Sequence, residues 1–126
     1  MASILIVEDS PDNMKLFRTL LTLKGHAITG IIGGDDLFAT LGSMTPDLIL
    51  MDIQMPGKDG YTLVGEIRAS EHKGIRVIAL TANAMAGDME KAIEAGFDGY
   101  ISKPIDIRKF PDQVARALDG LNPLDA

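Results

Sequence analysis

The chain is expected to fold as a doubly wound α/β domain with five parallel strands, and three observations carry that expectation. The aliphatic runs I-L-I-V at 4–7 and L-I-L-M at 48–51 do not alternate, which marks strands covered on both faces. Between the apolar runs lie segments with apolar residues at helical spacing, so strands and helices alternate as in successive β-α-β crossovers. Glycines and prolines punctuate the junctions. Right-handed crossovers leave few arrangements of five strands, and the flavodoxin-like (βα)5 order 2-1-3-4-5 is the natural one.

Ser3–Val7 reads as the first buried strand. Ser10 then caps a helix that opens at Pro11, carries Met14, Phe17, Leu20 and Leu21 on one side and closes at Gly25. Strand two, Ala27–Ile32, is weaker because Gly30 interrupts it. Gly33 and Gly34 make a turn, and Asp35–Leu41 is a short helix. Asp47–Met51 is strand three, Gly60–Ala69 a helix, Val77–Leu80 strand four, and Ala84–Ala95 a helix ended by Gly96. Gly99–Ser102 is a short fifth strand. Ile105–Lys109 turns, and Pro111 opens a last helix with Val114, Ala117, Leu118 and Leu121 on one face. The tail from Asn122 is expected to fray.

Length and charge narrow the function. The 126 residues suit one domain, 1–126, and the few residues after the last helix are too short for a helix-turn-helix output module. Twelve basic against eighteen acidic residues give a net charge of −6, which argues against nucleic acid as a direct partner. No apolar run is long enough for a membrane helix, and the acidic N-terminus is no secretory signal. The absence of cysteine rules out disulfides and thiolate metal sites and fits a cytoplasmic location. His26 and His72 stand apart with no ligand spacing, and both are expected at the surface without a catalytic role. The seven methionines fit irregular core gaps, with Met85 and Met89 as candidates for a partner surface.

The chemistry sits at the strand ends. Open α/β sheets bind ligands beyond the carboxyl ends of their strands. Glu8 and Asp9 follow strand one, Asp52 ends strand three, Thr81 ends strand four, and Lys103-Pro104 follows strand five. In the order 2-1-3-4-5 these converge on one rim. Three clustered carboxylates repel one another and call for a cation. Their oxygens, with no His or Cys nearby, suit Mg²⁺ rather than zinc. A carboxylate there can form an aspartyl-phosphate, with Lys103 and the Thr81 hydroxyl meeting the phosphoryl oxygens. Taken singly, Lys103 reads as a surface lysine and Thr81 as a helix cap; their joint placement carries the reading.

The segments I-L-I-V-E-D at 4–9, D-L-I-L-M-D-I-Q-M-P-G-K-D-G at 47–60, I-A-L-T-A-N-A at 78–84 and G-Y-I-S-K-P-I at 99–105 resemble the response-regulator receiver domains of two-component signalling. The resemblance covers essentially the whole chain. It implies that Asp52 is the phospho-acceptor, that Glu8, Asp9, Asp52 and the backbone carbonyl of Gln54 bind Mg²⁺, and that Lys103 binds the phosphoryl group. It also implies that Thr81 and Tyr100 are the switch pair, that the Lys103-Pro104 bond is cis, and that Gln54 and Asn83 flank the phosphoryl group and influence its lifetime. The implied phosphoryl donor is a histidine kinase or phosphotransfer protein. The implied output is a downstream protein bound on the face of helix four, strand five and helix five, roughly 84–95, 99–102 and 110–121.

The phrases N-M-K-L-F at 13–17 and A-M-A-G-D at 85–89 are similar both to single-domain cell-division regulators and to receivers of hybrid kinases, so a phosphorelay intermediate stays open. A constitutive scaffold is a second alternative, which the complete residue set opposes. An aspartyl-phosphate hydrolase of the haloacid-dehalogenase type needs a second acid where Gln54 stands, and an amide cannot transfer that proton. A flavin carrier is opposed by the acidic pair after strand one. The chain is thus expected to catalyse only its own phosphorylation and dephosphorylation, as a monomer or weak dimer.

Overall fold

The computed structural model describes residues 2–55, 57–82, 86–121 and 123. Expectations for Asn83, Ala84, Met85 and most of the tail lie outside these residues. The elements run β1 (Ser3–Val7), α1 (Pro11–Thr22), β2 (Ala27–Ile31), a 3-10 turn (Gly34–Asp36), α2 (Leu37–Ser43), β3 (Leu48–Asp52), α3 (Gly60–Arg68), β4 (Arg76–Thr81), α4 (Ala86–Ala95), β5 (Gly99–Ser102) and α5 (Phe110–Leu118). All strand pairs are parallel, in the order β2-β1-β3-β4-β5.

The unalternated strands divide their residues between two cores. Leu5, Val7, Ile49, Met51, Val77 and Ala79 face α2, α3 and α4, where Leu37, Leu63, Val64, Ile67 and Ala92 meet them. Ile4, Ile6, Leu48, Leu50, Ile78 and Leu80 face α1 and α5, whose Phe17 and Phe110 rings stack 5.3 Å apart. Both layers are buried, and each fully buried aliphatic side chain contributes about 1.5–3 kcal/mol. The central strands are thereby held rigid up to their carboxyl ends, where the polar residues begin.

Several sequence expectations shift by a residue or more. β2 stops at Ile31, whose carbonyl takes the last sheet bond from the Glu8 N–H, and Ile32 is exposed. The helix expected over Asp35–Leu41 begins as a 3-10 turn and becomes α-helical only at Leu37. β3 includes Asp52 itself. α5 starts at Phe110, because the Asp106 carbonyl already accepts from the Lys109 and Phe110 N–H groups. Gly120 adopts φ +80°, ending the helix, so Leu121 leaves the apolar face and is exposed. His26 and His72 are half-buried rather than on the surface: His26 Nδ1 accepts the Ala2 N–H at 3.2 Å, and the His72 ring lies against Phe38. Of the methionines described, Met51 and Met55 are core residues, whereas Met89 is exposed.

One side chain ties three connections together. The Arg68 guanidinium donates to the carbonyls of Gly96, Lys73 and Ile75 and to Asp98 Oδ2, at 2.6 to 2.8 Å. Asp98 Oδ2 also accepts the Val77 N–H. The end of α3, the entry of β4 and the loop from α4 to β5 are thus joined by one planar fork, which a lysine cannot reproduce. Arg68→Lys is expected to lower stability by about 1–3 kcal/mol, read as a shift in the urea midpoint; an unchanged midpoint would show these bonds to be dispensable.

Candidate functional site

The rim beyond β1, β3, β4 and β5 gathers the expected residues. Glu8 follows β1 and is fully buried. Asp52 ends β3 and is 5% exposed. Lys103 follows β5 and spans the two: its Nζ lies 2.7 Å from Glu8 Oε1 and 3.2 Å from Asp52 Oδ2. A charge at the end of an aliphatic strand is tolerable because this ammonium meets it. The other Asp52 oxygen, Oδ1, accepts the Gln54 N–H at 3.1 Å. Asp9 is half-buried beside them, and one oxygen from each of Glu8, Asp9 and Asp52 falls within 4.8 Å of the others.

Burial raises both central carboxyls. For Glu8, the hydrogen bond with Asp52 and then Lys103 outweigh burial and hold it below its ordinary 4.5. For Asp52, the ionised Glu8 adds to burial, Lys103 offsets only part, and the carboxyl is pushed up to about 7. Lys103 sits closer to Glu8 than to Asp52, so it holds Glu8 down more strongly than it offsets the rise at Asp52.

The all-carboxylate donor set fits a hard divalent cation, and among the described residues no histidine or cysteine joins it. Both Glu8 oxygens and both Asp52 oxygens are already engaged, Glu8 Oε1 and Asp52 Oδ2 by Lys103, Glu8 Oε2 by the Ser10 N–H at 3.5 Å and Asp52 Oδ1 by the Gln54 N–H, so a cation would share them.

Thr81, the last residue of β4, is 6% exposed, and its carbonyl accepts the Lys103 N–H at 2.7 Å. Ala79 is level with Tyr100 on β5, so Thr81, two residues on, shares the sheet face that Tyr100 occupies. Tyr100 is half-buried against the α2–α4 core. The Lys103-Pro104 bond is cis. Gln54 is exposed.

Gly60, the last residue of the 47–60 stretch, packs directly against the Asp52 peptide, a contact that the sequence reading does not assign to it. Its N–H donates to the Ile53 carbonyl at 2.9 Å, and the Ile53 N–H donates to Leu80 at 3.1 Å. A Cβ on Gly60 would stand 2.8 Å from both the Asp52 carbonyl oxygen and Ile53 Cα. Neither backbone atom can swing aside, so α3 would have to withdraw. Gly60→Ala is expected to weaken divalent-cation binding about tenfold or more, the scale of losses in the groups that orient metal ligands. Titration calorimetry with Mg²⁺ checks this; unchanged affinity in a folded variant would remove Gly60 from the site.

A doubly wound sheet carrying three carboxylates, a lysine and a hydroxyl on its carboxyl rim defines a class of α/β protein whose rim fits a hard divalent cation. Within that class the match is specific. The model of the response regulator receiver domain matches residues 4–115, and the chain belongs to that family, whose members act in two-component signalling and bind Mg²⁺ at an acidic site. The polar-differentiation response regulator DivK of Brucella abortus (strain 2308) is 40% identical over 117 residues, covering 92% of this chain and 95% of that protein. The receiver domain of sensor histidine kinase PA1611 from Pseudomonas aeruginosa PAO1, solved with magnesium coordinated in the active site cleft, superimposes with a TM-score of 0.83 and 34% identity, covering 94% of this chain and 98% of that one. A signal receiver domain of a histidine kinase from Syntrophus aciditrophicus gives 0.84 and 32%, covering 95% and 92%. Among the described residues no helix is long and apolar enough to cross a membrane.

Proposed function

We propose that the chain is a phosphorylation switch in which Asp52 takes a phosphoryl group from a histidine kinase or histidine phosphotransfer protein. A carboxylate oxygen of Asp52 attacks phosphorus, the bond from phosphorus to the donor imidazole breaks, and the donor leaves as free histidine. The observation that carries this reading is the Lys103 ammonium bridging Glu8 and Asp52. It supplies a fixed positive charge on the side of Asp52 where phosphoryl oxygens would gather. Mg²⁺, held by Glu8, Asp9, Asp52 and the Gln54 carbonyl, would neutralise charge on the phosphoryl group. Before attack Asp52 must shed its proton, and Lys103 favours the ionised form.

Beside Lys103 a groove of about 390 Å³ runs between Leu16 and Phe17 on one side and Ile105 and Ile107 on the other, an apolar seat for a phosphodonor protein. Output follows from the shared face of Thr81 and Tyr100: a phosphoryl group that draws the Thr81 hydroxyl towards it opens space into which Tyr100 turns. The surface that registers this is α4, β5 and α5, where Met89 and Ile93 are exposed next to Tyr100. The chain is not a turnover enzyme in this scheme; it catalyses its own phosphorylation and dephosphorylation and works through protein contacts.

Intact-mass spectrometry after incubation with acetyl phosphate tests the assignment. One added phosphate that requires both Mg²⁺ and Asp52 is expected. Mg²⁺-dependent labelling that persists in Asp52→Asn would move the acceptor elsewhere, and labelling of neither form would favour a constitutive scaffold.

A further inference from the structure

β2 is an edge strand. Its pairing with β1 is bracketed by the bonds from the Ala27 N–H to Ala2 and from the Glu8 N–H to Ile31, at 2.8 and 3.0 Å. Parallel pairing engages alternate residues, so Ala27, Thr29 and Ile31 turn their backbone groups to β1, while those of Ile28 and Gly30 point outward. Among the described residues no strand pairs with them. Exposed edges are ordinarily blunted by charged side chains or proline, and A-I-T-G-I has neither.

The same edge borders a largely apolar groove of about 500 Å³, lined by Pro11, Met14, Lys15 and Arg18 of α1. Gly30, Ile31, Ile32 and the buried Glu8 also line it. Gly30 lets α1 lie close against the strand: a Cβ there would come within 2.7 Å of Met14 Sδ and 2.8 Å of Arg18 Nη2. Ile32, at its end, is 68% exposed. Lys15 and Arg18 set two positive charges on its α1 side, against the single buried carboxylate of Glu8, in a chain of net charge −6. Among the described residues neither Lys15 nor Arg18 has an ion pair. An apolar floor, an open strand edge and a guanidinium with donors to spare suit one occupant, because carboxylates pair best with that fork and an extended backbone pairs best with that edge.

We propose that this groove and strand edge dock an extended acidic segment of a partner protein, which adds beside β2, seats an apolar side chain against the exposed Ile32 and pairs a carboxylate with Arg18. The groove adjoins the phosphoryl rim, since Glu8 lines both, but docking here does not depend on the chemistry proposed there.

The test is a nitrogen-15 NMR titration of the full chain with two capped heptapeptides, E-V-E-V-E-V-E and K-V-K-V-K-V-K. The acidic peptide is expected to shift the amides of Ile28, Gly30 and Ile32. Arg18→Glu should weaken this at least about tenfold, as for a truncated or reversed charge pair at an interface. Gly30→Val should abolish it by pushing the flexible ends of Met14 and Arg18 out over the groove, while acetyl phosphate still labels Asp52. Equal binding of the basic peptide, shifts confined to other surfaces, or no shift at millimolar peptide would overturn the proposal. So would concentration-dependent self-association that moves the same amides without peptide, which would identify a second copy as the occupant.

Discussion

Asp52→Asn is expected to raise the melting temperature of the metal-free protein by several degrees at pH 8 while removing phosphoryl uptake. An unfolded aspartate titrates near 3.8, and folding pushes Asp52 up to about 7. Between those values the folded chain holds a proton that the unfolded chain releases, so this group adds stability as pH falls from 7 towards 4. Above 7 both states are ionised, and the cost of the buried charge is fully expressed. Asparagine removes that charge and is expected to recover on the order of 2 kcal/mol. Glu8 works in the opposite sense. Its folded value lies below 4.5, so its contribution is complete above 4.5 and disappears in stronger acid as it protonates and releases Lys103. Metal-free wild type should therefore be most stable at mildly acid pH, and the variant should lose only the decline in stability between about pH 4 and 7. Thermal melts in a chelator from pH 4 to 9 measure both limbs; a variant that melts below wild type at pH 8 would refute the strain assigned to Asp52.

The second large effect is expected at Lys103. Glu8 is fully buried and its charge is met by Lys103 Nζ at 2.7 Å. Lys103→Met keeps the length of the side chain and deletes the charge. It leaves two buried carboxyls facing each other, a change that costs roughly 3–5 kcal/mol where a buried pair loses one partner. The loss should be greatest at alkaline pH, where neither carboxyl is protonated. Mg²⁺ should restore part of it by supplying positive charge to the same oxygens. Urea denaturation with and without Mg²⁺ reads both effects. A variant as stable as wild type, or one indifferent to Mg²⁺, would mean that Lys103 does not neutralise the pair.

Much of this was legible in the chain because the relevant signals are local. The runs at 4–7 and 48–51 identify buried strands without reference to anything distant, and a charged residue at the end of such a run can lie only at the rim. The placement of Glu8, Asp9, Asp52, Thr81 and Lys103 follows from strand order alone. Boundaries were less legible where tertiary bonds decide them. β2 ends where Glu8 takes its last carbonyl, and Leu121 continues the spacing of α5 in sequence although Gly120 has already turned the chain away. The partner choice of Lys103 was not legible either. Convergence on a rim does not say which of three carboxylates the ammonium meets most closely, and the answer joins residues 95 positions apart. Gly60 was read only as a helix start, because its contact with the Asp52 peptide exists only once α3 has docked behind β3.

The Arg68 fork has a consequence for how far a signal can travel. It grips the Gly96 carbonyl, one residue past α4, and fastens it to α3 and to the foot of β4. Gly96 itself sits at φ +122°, a backbone state open chiefly to glycine. A displacement of α4 that leaves these bonds intact is therefore a swing about its carboxyl end. Such a lever moves least at Ala95 and most at Ala86, the end nearest the rim. A partner reading the inner turn would meet the larger stroke, and one gripping the outer turn would meet a nearly fixed post.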